Sequence, residues 1–193
     1  MNAYELAKAE IGTVEWGNGS NPKVVAYFKD AGHPEVSNDA TAWCAAFVGA
    51  MIKRAGGKPT GSLMARSYLT WGNPVDLKDA REGDIAVFSR GNSSWQGHVA
   101  FFVRENASTL TVLGGNQSDQ VKLSTYPKSS LLSIRRAAAS QEPPFRNNPP
   151  QEAPKPVSPS IPAATTQPRP AGLVGALAAI FAAFFRNNKG PKP

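Results

Sequence analysis

Three side chains in this sequence can act as a nucleophile or carry a proton near neutral pH: one cysteine, Cys44, and two histidines, His33 and His98. Cys44 falls in AWCAAFVGAMIKRA, where apolar residues recur at helical spacing. In the first turn or two of such a helix, unpaired amide donors and the helix dipole stabilise a thiolate. A lone Cys among Ala, Trp and Phe is also what a packed core uses as a small apolar side chain. A thiolate nucleophile needs a general base. His98 follows Gly97 and opens the run HVAFFV, so it sits where a strand starts at a sheet rim, next to a residue that admits close approach. A structural imidazole would fit there too. His33, in AGHPEV, reads as a solvated turn residue. A third group must hold the imidazole in its useful tautomer. Asn116, in GGNQSDQ after the run TLTVL, offers an acceptor, although GGNQ in isolation is a plain turn.

The elements that must position these groups change character along the chain. Helices are expected over Ala3–Ile11 and from Asn21-Pro22 to Gly32, where Asn caps and Pro suits the first turn. The Cys44 helix follows, with Asp39 or Thr41 as its N-cap and Gly56-Gly57 as its end. Ser67–Trp71 adds one short helical turn. After Pro74 come five short strands: IAVF, HVAFFV, TLTVL, VKL and LLSIRR. Helices first and sheet afterwards give an α+β layout, with N-terminal helices packed on an antiparallel sheet. Asn116 and His98 would meet if they end and start neighbouring strands.

The chain is two polymers joined end to end. Of its 17 prolines, five precede residue 141 and twelve follow it. Residues 1–140 read as one globular domain, 141–170 as a Pro-rich linker, 171–186 as an apolar helix and 187–193 as a basic tail. The formal charge of +7 divides into about +3 and +4 between the two parts, so the basicity belongs largely to the tail. No nucleic-acid partner is expected. One cysteine excludes an internal disulfide framework and a multi-cysteine zinc site. No metal and no cofactor are expected. Residues 171–185, AGLVGALAAIFAAFF, rise about 22 Å as a helix, short of a hydrocarbon core of roughly 30 Å. The Leu173–Phe185 segment has a bulky face and a Gly/Ala face, which points to membrane association and to helix–helix self-association through the small residues. MNAYELAKAEIG lacks the basic and apolar regions of a standard secretory signal.

The segments AWCAAFV, REGDIAVF, GHVAFFV and LGGNQSDQV, in that order, resemble the papain-like cell-wall hydrolases of the CHAP and NlpC type, most closely small CHAP-like proteins of phages and bacteria. The resemblance covers most of residues 1–138. It implies a papain-like fold, with Cys44 as nucleophile, His98 as base and later acid, and Asn116 as orienting residue. The oxyanion hole would use the Cys44 backbone amide with Asn38 or Thr41. Trp43, Trp95, Gly97 and Gln117 would line a substrate groove, and Trp71 is a further aromatic candidate. The implied activity is cleavage of an amide bond in peptidoglycan, by a phage or prophage endolysin-like lysis enzyme held in the bacterial cytoplasm or virion until release. An inactive wall-binding or virion module, or an interbacterial amidase toxin, would share the fold. The sequence departs from NlpC-type enzymes in offering Asn116 where they usually carry a third His. It also lacks the acidic calcium-binding loop of many CHAP endolysins.

Overall fold

The computed structural model describes residues 1–138. The expected linker at 141–170, the Leu173–Phe185 helix and the tail at 187–193 lie outside the described residues. Among the described residues no helix is long and apolar enough to cross a membrane.

Three helices come first. Helix α1 (Ala3–Ala9) is capped by Asn2, whose side chain accepts from the Glu5 amide at 2.9 Å. Helix α2 (Pro22–Ala31) starts on Asn21, which accepts from the Lys23 amide at 2.9 Å, and stops at Gly32 in the left-handed region. Helix α3 (Cys44–Arg54) starts at the cysteine itself. Neither Asp39 nor Thr41, the expected caps, caps α3. Asp39 instead accepts from the amides of Trp16 and Asn21, and the Thr41 hydroxyl donates to Asn38 Oδ1. The residue preceding α3 is Trp43, and no side chain caps the helix. Its leading amides are therefore left for whatever occupies the space in front of Cys44.

Every residue of α3 from Cys44 to Ile52 is buried, because α1 and α2 cover one side and the sheet the other. Aromatic rings fix this packing. Tyr27 meets Phe47 edge-on at 5.2 Å, and Phe47 meets Phe101 of the sheet at 6.4 Å and 84°. A short 3-10 helix, Ala65–Thr70, takes the place of the turn expected near Ser67.

The sheet has six antiparallel strands: β1 (Asn73–Val75), β2 (Ile85–Ser89), β3 (Gly97–Glu105), β4 (Thr109–Gly114), β5 (Lys122–Pro127) and β6 (Leu131–Arg136). Five were expected. β1 reads as a loop because it is only NPV, and its proline is tolerated on an edge strand. Strands β2 to β5 form a meander, and β6 returns to lie between β1 and β2. Asp84, the acid of REGD, accepts two hydrogen bonds from Arg136 at 2.8 and 2.7 Å and ties β6 to the start of β2. That motif is structural.

Both faces of the sheet are buried. Ile85, Val87, Val99, Phe101 and Leu113 face the helices. Ala86, Phe88, Ala100, Phe102, Leu110, Val112 and Ile134 form a second cluster on the opposite face. Val75 of β1 and Tyr126 of β5, at opposite edges of the strand order, both pack against this second cluster, so the sheet curls over it. The rim geometry follows from register. Phe88 lies opposite His98 and Phe101 opposite Leu113, so β3 starts beside the end of β4. There the chain enters the Gly115–Gln120 turn.

Candidate active site

Cys44 is the first residue of α3 and only 9% exposed. Burial pushes its thiol pKa up. The backbone amides of Val99, Ala45 and Cys44 and the Arg90 cation pull the other way, without prevailing. Val99 is the residue after His98, so its amide ties the thiol's surroundings to the start of β3.

His98 is buried on the inner face of the curled sheet. Tyr126 stacks on it with ring centroids 5.0 Å apart and planes at 19°, and stacks on Phe88 at 4.8 Å. Burial pushes the His98 pKa down to about 4. A hydrogen bond to Gln117 opposes the shift and the Arg90 charge reinforces it. At neutral pH the imidazole is therefore uncharged.

Its tautomer follows from the neighbouring amide. His98 Nε2 lies 3.2 Å from Gln117 Oε1. The Gln117 Nε2 donates to the Gly114 carbonyl at 3.1 Å and to the Lys122 carbonyl. Carbonyl oxygens only accept, so both amide protons are committed to them and Oε1 must face the imidazole. His98 then carries its proton on Nε2, and Nδ1 keeps its lone pair. Gly114 makes room for this arrangement. A Cβ there would fall 3.3 Å from His98 Nε2, 3.2 Å from Gln117 Cδ and 2.8 Å from Ala100 Cβ.

The structure thus places Gln117, rather than Asn116, within hydrogen-bond distance of His98. The reason lies in the turn. Asn116, Ser118 and Asp119 all have left-handed backbones, with φ of 55°, 50° and 60°. The turn is closed by Gln117 N donating to Gln120 O, and it is held to the α1–α2 segment through Glu15 N to Asp119 O and Val121 N to Thr13 O. This winding sends Gln117 inward. Among the described residues no side-chain hydrogen bond of Asn116 reaches His98. The signal available in the sequence was GGNQ, in which either amide could have been chosen.

The expected groove residues separate. Trp43 is fully buried, with its indole donating to Glu15 at 3.1 Å, and belongs to the core. Trp71 is also core, its indole donating to Lys58 O at 2.8 Å. Gly97 is small for an internal reason, since a Cβ there would meet Phe88 O at 2.7 Å. Gln117 is buried and bonded to His98. Trp95 alone of the set is exposed, at 63%. Of the two oxyanion candidates, the Thr41 hydroxyl proton is spent on Asn38 Oδ1, whereas the Asn38 amide protons are not. Asn38 is exposed. His33 is held by Glu35 and the Gly61 carbonyl, away from this constellation. Among the described residues no group of acidic, Cys and His side chains could hold a metal ion.

A helix that begins with a thiol is packed on an antiparallel sheet whose rim carries an imidazole, in an α+β architecture. Residues 36–116 match the family model described as the CHAP domain. The match suggests a peptidoglycan hydrolase, since CHAP domains are generally cysteine peptidases or amidases. Among solved structures, the chain is similar to the P60 domain from an antigen of M. avium subspecies paratuberculosis. The two are 14% identical, with a TM-score of 0.41 over 69% of this chain and 93% of that one. No curated protein matches the chain.

Proposed function

We propose that the protein hydrolyses an amide bond of peptidoglycan, within the stem peptide or at the N-acetylmuramoyl-L-alanine junction, by a cysteine mechanism. The reading is supported most by the Gln117 lock, which leaves His98 with a free Nδ1 lone pair at a pH where it is neutral. In this mechanism Nδ1 takes the Cys44 thiol proton as sulfur bonds to the substrate carbonyl carbon. The Cys44 amide, at the uncapped start of α3, and the Asn38 side chain receive the developing oxyanion. The imidazolium then gives its proton to the leaving amine as the C–N bond breaks. Water, deprotonated by His98, splits the thioester and returns the thiol. Gln117 holds the ring throughout. A catalytic head followed by the Pro-rich stretch 141–170 and the apolar Leu173–Phe185 segment suits a phage or prophage lysis enzyme held near a membrane.

The test incubates full-length wild type and Cys44→Ala with isolated peptidoglycan and follows released fragments by mass spectrometry. Wild type is expected to release fragments and Cys44→Ala none. Equal release would remove Cys44 from the mechanism. No release by either, with binding retained, would leave a wall-binding module.

A further inference from the structure

The His98 imidazole is covered by a ring that has no part in the proposed proton transfers. Tyr126, on β5, stacks on it with centroids 5.0 Å apart and planes at 19°. The same ring stacks on Phe88 at 4.8 Å and 25°. Phe88 and His98 lie opposite each other on β2 and β3, so Tyr126 spans the pair. Both contacts fall in the range of offset aromatic stacks. The Tyr126 hydroxyl makes no hydrogen bond among the described residues, so the ring is what Tyr126 brings to the site.

His98 becomes an imidazolium when Nδ1 takes the thiol proton, in surroundings that hold little to balance the charge. Its side-chain partner is the uncharged amide of Gln117. Among the described residues no carboxylate pairs with it. Burial and the Arg90 charge both act against the cation. The face of an aromatic ring is negative and attracts a cation within about 6 Å of its centroid. Tyr126, at 5.0 Å and nearly parallel, meets that condition. Burial raises the Tyr126 pKa, so the phenol stays neutral and the ring face, not a phenolate, is the partner.

We propose that Tyr126 is a positioning residue whose ring face stabilises the His98 imidazolium formed when Cys44 gives up its proton. The proposal rests on the Cys44–His98 mechanism above and deepens it. That mechanism forms the cation twice, once when sulfur attacks and once when water attacks. The attraction is weaker for the neutral resting ring, so it acts mainly on the way to the transition state. Stacking also supplies an orientation that Gln117 does not. One hydrogen bond at Nε2 fixes the direction of the imidazole but not its tilt, and a parallel ring fixes the tilt.

The experiment compares full-length wild type, Tyr126→Phe, and the full-length chain with pentafluorophenylalanine at position 126. All keep a six-membered aromatic ring, and Cys44 and Arg90, the other ionisable groups whose charge is felt in this part of the site, are common to them. Fluorination strips the negative charge from the ring face and leaves the ring shape nearly unchanged. Nitrogen NMR of the imidazole reads the proton affinity of His98. The rate of iodoacetamide alkylation reads how readily the thiol proton is removed, at the single cysteine of the chain. Tyr126→Phe is expected to match wild type in both. The fluorinated ring is expected to lower both about tenfold, as for a desolvated cation–π contact. If that protein fails to fold, a ring with a single fluorine takes its place, with smaller changes in the same direction. Equal proton affinity with the plain and the fluorinated ring, or a loss already complete in Tyr126→Phe, would overturn the proposal. Failure of the Cys44–His98 mechanism shows up separately, as alkylation that full-length His98→Asn leaves unchanged while the proton affinity of His98 still follows the ring.

Discussion

Replacing Gln117 by Met keeps the length and volume of the side chain and deletes all its polar atoms. Three partners are then stranded: the His98 Nε2–H, the Gly114 carbonyl and the Lys122 carbonyl. An unsatisfied buried group costs about 1–3 kcal/mol. The first two are buried and the third is partly open to water, so the sum is about 3 kcal/mol, a fall in melting temperature of about 10 °C for a domain of this size. The chemical effect is separate. Without Oε1 nothing selects the Nε2–H tautomer, and the base is misdirected for part of the time. General-base catalysis contributes about 100-fold or more, and turnover of peptidoglycan should fall on that order. The full-length variant is assayed by thermal unfolding, by fragment release below its melting temperature, and by nitrogen NMR of the imidazole, which reads the tautomer directly. Asn116→Gly is the control, because glycine accepts a φ of 55° and no His98 contact is lost. It should keep wild-type turnover and the wild-type imidazole signal. If Gln117→Met keeps both activity and tautomer while Asn116→Gly loses them, the orienting role belongs to Asn116 and the hydrogen-bond argument is wrong.

Two further outcomes follow from burial. His98 titrates at about 4 in the folded chain against 6.5 when unfolded, because burial disfavours its charged form. The unfolded chain therefore binds the extra proton in this window, and stability falls with pH from 6.5 towards 4 by about 3 kcal/mol from this group. Denaturant unfolding at several pH values, compared with His98→Asn, isolates it. An identical pH slope in the two proteins would mean that the imidazole is not held neutral. The two tryptophans should also part company. Trp43→Ala removes a fully buried ring and should cost about 3–5 kcal/mol, whereas Trp95→Ala should change stability by less than about 0.5 kcal/mol and weaken peptide binding. Equal melting temperatures for the two variants would contradict the assignment of Trp43 to the core.

The layers were legible because their signals are local. The helical spacing of AWCAAFVGAMIKRA, the Asn-Pro start of α2 and the short apolar runs after Pro74 all report on residues close in sequence. β1 was hidden because NPV has no pattern of its own, and it pairs with β6 some sixty residues later. The positions of Cys44 and His98, at the starts of α3 and β3, could be read from periodicity and a neighbouring glycine. The choice between Asn116 and Gln117 could not. It depends on three left-handed residues and on hydrogen bonds from the turn to the segment before α2, contacts that span about a hundred residues. Tyr126 was missed for the same reason, since only the sheet's curl brings β5 over His98 and Phe88. Trp43 and Trp95 are alike in composition terms, and only burial separates them.

The protonation states constrain how the proposed reaction must run. Burial raises the thiol and lowers the imidazole, so at neutral pH the proton rests on sulfur and the pair is uncharged. The groups that favour negative charge are nevertheless in place: the amides of Val99, Ala45 and Cys44, the uncapped start of α3 and the Arg90 cation. In the resting site desolvation outweighs them. Their balance changes when a carbonyl accepts the sulfur, because the negative charge then moves to an oxygen that the amides in front of Cys44 can reach. Interactions that are weak in the ground state and strong at the tetrahedral stage are those that lower a barrier.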